Sequence, residues 1–413
     1  MTDPVQAETR TDAARRRVVR QGIPAGIWAL GFVSMLMDVS SEMIHALLPV
    51  YLVTAFGAST LAVGLIEGVA EATAAITKVF SGALSDWLGR RKLLAACGYA
   101  LAALTKPIFP LAGSIGWVAA ARFIDRVGKG IRGAPRDALV ADIAPPHLRG
   151  ASFGLRQSLD TAGAFLGPLL AIALMWLTAD DFKAVFWIAV IPACLSVVLI
   201  TIAVREPRRP KELRRIRRPL HSDELRRLGA TYWWVVAVAT LFTLARFSEA
   251  FLLLRAQSVG LPLVLVPGVL VVMNVAYSLS AYPAGVLSDR ADRVTILLAG
   301  LVLLVVADVV LGLAGTVPGL GVGVALWGLH MGFTQGLLVT LVAEAAPAEL
   351  RGTAFGMFNL ITGVALLLAS VIAGALWEGF GPQATFLAGT VFAAATLAGL
   401  LAIRSRLGQQ RQT

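Results

Sequence analysis

The sequence predicts an all-α integral membrane protein of twelve transmembrane helices, arranged as two pseudo-symmetric six-helix bundles. Three observations predict it. The 413-residue chain is 57% hydrophobic and 15% charged, more apolar than a water-soluble core of this size requires. Its apolar residues fall into twelve runs of about the 20 residues that a helix needs to cross a bilayer. Its positive residues gather in alternate connections between those runs.

The runs cover residues 24–55, 59–84, 92–112, 114–142, 151–178, 182–204, 231–256, 261–288, 294–314, 317–345, 352–378 and 382–403. They define spans one to twelve. Residues 1–22 are polar and read as a disordered N-terminal cytoplasmic tail. Residues 23–204 form the first six-helix half, and 231–404 the second. Residues 205–230 are a basic cytoplasmic connector, and 405–413 a cytoplasmic tail.

Charge placement fixes the topology. Arg10, Arg15, Arg16, Arg17 and Arg20 precede span one. Arg90, Arg91 and Lys92 follow span two, and Arg149 follows span four. Residues 205–227 hold ten Lys/Arg, and Arg290, Arg293, Arg351, Arg404, Arg406 and Arg411 continue the series. The opposite loops hold little beyond Lys183 and Arg255. Positive residues stay on the cytoplasmic side, so both termini are cytoplasmic. The net charge of +11 is therefore a topology signal, and no nucleic-acid partner is expected. The connector reads as a solvated linker rather than a lipid-headgroup patch. Cys97 and Cys194 fall within spans and read as packing residues. No cleavable signal peptide is apparent, and Asp3, Glu8 and Asp12 argue against a mitochondrial transit peptide.

The halves repeat one another. Gly82-Ala83-Leu84-Ser85-Asp86 with Gly89-Arg90-Arg91 returns as Gly285-Val286-Leu287-Ser288-Asp289-Arg290 with Arg293. Gly285 lies 203 residues after Gly82. Ala144-Pro145 through Leu148-Arg149-Gly150 and Phe153-Gly154 returns as Ala346-Pro347 through Leu350-Arg351-Gly352 and Phe355-Gly356, with Pro347 202 residues after Pro145. Two unrelated stretches at one offset mark a duplicated unit, a common architecture of secondary transporters.

The loop Gly82-x-x-x-Asp86-x-x-Gly89-Arg90-Arg91-Lys92 resembles the signature loop of the major facilitator superfamily. Physically, Asp86 is an anion at the unfavourable end of a helix and wants a cationic partner. Gly82, Asp86, Gly89, Arg90 and Arg91, with Asp289 and Arg293 in the copy, are expected to act as a conformational latch. Arg122-Phe123-Ile124 up to Gly128, closed by Ala141-Asp142, resembles the superfamily's conserved-arginine motif. Asp125 and Arg126 depart from it, standing where the common pattern has an amide and a glycine. Gly163-Ala164-Phe165-Leu166-Gly167-Pro168 in span five resembles the core of the antiporter motif, and Gly-x-x-x-Gly is also a close helix contact. The resemblance runs from residue 24 to 404, to a prokaryotic branch of undefined substrate. It implies a secondary active transporter working by alternating access in the inner membrane.

Two short matches are decoys. Gly128-Lys129-Gly130-Ile131-Arg132-Gly133 fits a dinucleotide fingerprint but lies in a membrane helix, not a βαβ unit. Gly150-Ala151-Ser152-Phe153-Gly154 fits a hydrolase elbow, yet its internal copy has no serine at the centre. No enzyme activity, cofactor or metal site is expected.

Ionisable residues inside spans are costly and mark function. Asp38, Glu42 and His45 share one face of span one, and Glu67, Glu71 and Lys78 one face of span two. Arg122, Asp125, Arg126, Lys129, Arg132 and Arg136 stripe span four. At 1.5 Å per residue, Glu42, His45, Glu71, Asp125, Arg126, Arg246 and His330 all fall roughly 15–20 Å below the outer surface. A carboxylate in low dielectric favours its neutral form, and a nearby arginine opposes this. Asp38 and Glu42 are the expected proton carriers, with Arg122 and Arg126 as switching partners and Asp125 beside them. His45, Glu71, Arg246, Trp327 and His330 are the expected substrate contacts, with Thr334 and Phe242 adding wall. Lys106 and Asp308 occupy equivalent positions 202 residues apart and read as structural.

The leading expectation is proton-coupled export of a small solute by a monomer in the bilayer. Proton-coupled uptake and divalent-metal efflux through Asp38, Glu42 and His45 are alternatives. A non-transporting membrane sensor, docking a partner on the connector, is the reading of a different class.

Overall fold

A computed structural model of the chain describes residues 23–88, 90–145, 148–206, 227–290, 292–346 and 350–410. The N-terminal tail and all but the ends of the connector lie outside these. Among the described residues, eleven helices are long and apolar enough to cross a membrane. The remaining span is Ile115–Ile143, 29 residues and as long as its neighbours, which carries the charged stripe of span four.

Two spans are broken, each leaving a second helix of 9 residues. Span one is two helices, Ala25–His45 and Leu48–Phe56, with Pro49 at the start of the second, where a missing N–H costs nothing. Span seven breaks at the corresponding place, between Ala230–Ala245 and Ala250–Ser258. Span three pauses at Lys106 and Pro107, between Arg91–Thr105 and Ile108–Leu111. The sequence reading drew all three as continuous. Span twelve, Pro382–Gln410, runs beyond residue 404, so most of the expected C-terminal tail is helix.

The halves are built alike. In the first, span one packs on spans five and six, and span four on spans two and three. In the second, span seven packs on eleven and twelve, and span ten on eight and nine. Spans two and eleven, and five and eight, join the halves.

The apolar core shows how the halves meet. Its largest cluster spans both halves, taking Met43, Leu47 and Leu52 from span one together with Phe242, Phe251 and Leu254 from span seven. Two smaller clusters lie toward the chain ends, one in each half. One holds Ile27, Leu30, Tyr99 and Leu139, the other Tyr232, Val342 and Ala354. The described core thus joins the halves through spans one and seven, and each half keeps a cluster of its own toward the chain ends. Large apolar side chains such as Leu104, Trp176, Ile202, Leu279 and Phe380 are exposed around the outside, where lipid would cover them. Cys97 and Cys194 are exposed too, not packed inside as expected. Apolarity alone does not separate a lipid-facing position from a helix contact.

Candidate functional site

The site grows from how spans one, two, four and five approach. Span five lies on span one through Gly163 and Gly167. A Cβ at Gly163 would sit 3.0 Å from the Asp38 Cβ, and one at Gly167 2.6 Å from the Glu42 Cβ. Only glycine lets the helices come this close, so the two carboxylates sit at a fixed distance from span five.

Spans two and four run parallel at a constant offset of 55 residues. Glu67 meets Arg122 (2.7 Å) and Glu71 meets Arg126 (3.4 Å), one helical turn apart on each helix. The Glu67–Arg122 pair is sealed, at 1% and 2% exposure, whereas the Glu71 side chain stays 31% exposed. Asp125 faces the other way, accepting from Lys106 at the pause in span three (2.9 Å) and lying 3.9 Å from Arg126. Lys106 also donates to Ser41 Oγ of span one (3.1 Å).

His45 closes the first helix of span one. Its Nδ1 lies 3.3 Å from Glu42, and its Nε2 3.7 Å from Glu67. It therefore links the partly exposed carboxyl of span one to the sealed pair behind it. Asp38 lies 3.8 Å from Arg132, whose guanidinium also stacks 4.9 Å above the Tyr99 ring. Toward the chain ends, Arg136 donates to Ser34 (2.7 Å) and approaches Asp160 (3.7 Å), which Arg156 holds at 2.6 Å.

These contacts correct the sequence reading in several places. Arg122 and Arg126 pair with span two, not with Asp38 and Glu42. Helical spacing says which residues share a face but not which helix that face meets. Lys106, read as structural, is a direct partner of Asp125. The sequence reading named no role for Arg156, Asp160, Ser34, Ser41 or Tyr99. A usable signal existed for the ladder: matched i, i+4 pairs, Glu67/Glu71 and Arg122/Arg126, on two spans.

In the second half, Arg246 and Glu249 flank the break in span seven, 4.0 Å apart and 25% and 27% exposed. With its carbonyl turned toward Arg246, Gln335 of span ten accepts from both guanidinium nitrogens at 3.0 and 2.8 Å. Arg246 and Glu249 interact electrostatically with Glu71, Glu42 and His45 across the seam between halves. Trp327 and His330, expected on the substrate surface, are fully buried instead. Their rings pack at 5.3 Å, with Phe247 5.4 Å from Trp327 and Phe242 6.2 Å from His330. Span ten turns them into its own bundle.

Around the expected latch, Gly82 packs on span four, where an added Cβ would sit 3.3 Å from the Ala134 Cβ. Arg91 bonds Asp142 (2.9 Å) and the Ala138 carbonyl (3.0 Å), and its backbone N–H donates to Glu206. Arg90 is exposed. Gly89 and the side chains of Asp86, Asp289 and Arg293 lie outside what the structure describes. Among the described residues no cluster of three or more His, Cys, Asp or Glu could hold a metal ion. His45 takes Glu42 and Glu67 as neighbours rather than Asp38 and Glu42 together.

Comparison with known proteins agrees with this architecture. Residues 30–276 and 256–412 match the Major Facilitator Superfamily. The chain belongs to the major facilitator superfamily. An uncharacterized transporter of this superfamily from Methanocaldococcus jannaschii is 32% identical over 385 residues, 91% of this chain and 93% of that protein. The multidrug resistance protein MdtH of Yersinia pestis is 30% identical over 176 residues, 41% of each chain. Among solved structures, the D-xylose-proton symporter superposes with a TM-score of 0.71 at 17% identity, over 90% of this chain and 96% of that one. The human organic anion transporter MFSD10 does so at 0.65 and 19%, over 91% and 99%. At such identities these structures share the fold. The protein is an integral membrane transporter.

Proposed function

We propose that this transporter is a proton-coupled exporter of a small solute. It works as a monomer in a prokaryotic inner membrane, with both termini cytoplasmic. The observation that carries the reading is His45 at the break of span one, between partly exposed Glu42 and the sealed Glu67–Arg122 pair. A broken helix at mid-depth is where transporters place ion sites, because irregular backbone is tolerated only beside a cavity or inside protein.

The mechanism follows from the two kinds of carboxylate. Asp38, Glu42 and Glu71 are about a quarter to a third exposed and exchange protons with water in the cleft. Glu67 and Asp125 are sealed with their cations and hold the helices in place. When the halves rock, the span-one carboxylates trade cleft water for their neighbours, Arg132 beside Asp38 and His45 beside Glu42. A proton gained on one side is then lost on the other. Solute is held at the seam by Glu71 on one half and Arg246 and Glu249 on the other. Export is supported by the partial likeness to a multidrug resistance protein and by the antiporter-like Gly163–Gly167 stretch against span one.

The test is flux into sealed proteoliposomes with an internal pH dye, challenged with drugs, organic anions and divalent metals. An organic solute that moves protons in the wild type but not in Glu42→Gln supports the reading. A response to divalent metal alone, lost in His45→Ala, replaces it with metal efflux. Labelled solute that moves without any pH change removes proton coupling. No flux of any solute, with signalling lost on neutralising residues 205–230, favours the sensor.

A further inference from the structure

Position 308 and position 106 are the same place in the two halves, and their surroundings differ. Lys106 is ion-paired to Asp125 and bonded to Ser41. Asp308 is fully buried, and neither carboxyl oxygen has a hydrogen-bond partner. Two contacts bracket it: an added Cβ on Gly300 would meet Phe333 and Thr334, and one on Gly323 would meet Leu311. That register puts Asp308 level with Trp327, which lies 202 residues after Asp125. The repeat has therefore replaced a lysine–aspartate pair with an aspartate and an indole, and the Trp327 Nε1 is itself unpartnered.

The charged and titratable groups around Asp308 do not neutralise it. Span ten offers His330, one turn away in register and without a hydrogen bond on either ring nitrogen. Span seven offers Arg246, engaged with Glu249 and Gln335, and Arg255, which donates to the carbonyls of Leu311, Gly312 and Ala314. Span twelve offers Gly389. A Cβ there would lie 2.6 Å from Asp308 Oδ2 and 3.3 Å from the Ala245 carbonyl oxygen. Two acceptor oxygens thus border one glycine-sized space. Ala245 closes the first helix of span seven, so its carbonyl faces the break. A fully buried carboxylate without cation or donor is too costly to persist, and such a group takes a proton instead.

We propose that Asp308 is a second protonation site: a neutral carboxylic acid in this conformation, its O–H directed at the Ala245 carbonyl. The proton comes from, and returns to, water at the span-seven break beside Arg246 and Glu249, when rearrangement of that break opens Asp308 to it. Its part in coupling rests on the proton-coupled reading above. Its protonation does not.

The test is infrared difference spectroscopy of the purified full-length protein in micelles at neutral pH, wild type against Asp308→Asn. A protonated-carboxyl C=O band present in the wild type, shifted in heavy water and missing from Asp308→Asn supports the site. Superimposable acid regions overturn it. Asn mimics the neutral acid, so this variant should fold with unchanged thermal stability. Should it not, ¹³C-carboxyl aspartate labelling of the wild type keeps the site open to refutation. A wild type without any protonated aspartate band overturns the site. In proteoliposomes Asp308→Asn is expected to keep solute exchange without a gradient and to lose at least tenfold of proton-driven transport. Undiminished proton-driven transport overturns the coupling role. A wild type that moves no protons overturns the preceding reading, while the spectra still decide whether Asp308 is protonated.

Discussion

The sealed pair between spans two and four gives the sharpest energetic prediction. Arg122 and Glu67 meet at 2.7 Å with 2% and 1% of their side chains exposed. Removing one partner from such a pair leaves a bare buried charge and costs about 3–5 kcal/mol, whereas replacing both with apolar side chains is often near neutral. Arg122→Met and Glu67→Met should therefore each destabilise the protein by about 3–5 kcal/mol, and the double variant by far less than their sum. The expected coupling is at least about 3 kcal/mol, a factor of more than 100 in the unfolding equilibrium constant, well beyond the ~0.5 kcal/mol scatter of independent sites. The assay is denaturant unfolding of purified protein in micelles. Costs that simply add would refute the claim that this pair is a single sealed unit.

Other expectations follow from neighbouring contacts. Lys106→Met should leave Asp125 with Arg126 alone, at 3.9 Å, and cost about 3 kcal/mol, and adding Asp125→Asn should restore much of it, read from unfolding midpoints. Gly64→Ala would drive a methyl into the Ser370 carbonyl where spans two and eleven join the halves. It should shift the population toward separation at that end, seen as faster labelling of a cysteine at Thr60. Gly82→Val should force span two off span four at Ala134 and cut transport at least tenfold with little change in expression. Unchanged transport would remove the latch.

Much of the fold was legible because duplication and charge alternation are long-range signals that one chain carries in full. Span four, read among the twelve runs despite its charged stripe, was also required by the alternation of positive loops. The breaks were harder. Pro49 and Pro107 mark two of them, but Arg246-Phe247-Ser248-Glu249 contains no helix breaker. The site was legible as faces and not as partners. Glu67 and Arg122 each stood out as a charge in a span, while their meeting depends on how spans two and four pack. Trp327 and His330 illustrate the converse. Their shared face is real, but it turns inward to Phe247 and Phe242 rather than to the seam.

The central claim is that protons cross on the carboxylates of span one, with His45 behind Glu42. The most direct measurement is the proton count per solute in proteoliposomes, for wild type, Glu42→Gln and Asp38→Asn. The account predicts a fixed count in the wild type and loss of proton movement in at least one variant, with solute exchange without a gradient preserved. Wild-type proton movement in both variants would contradict it.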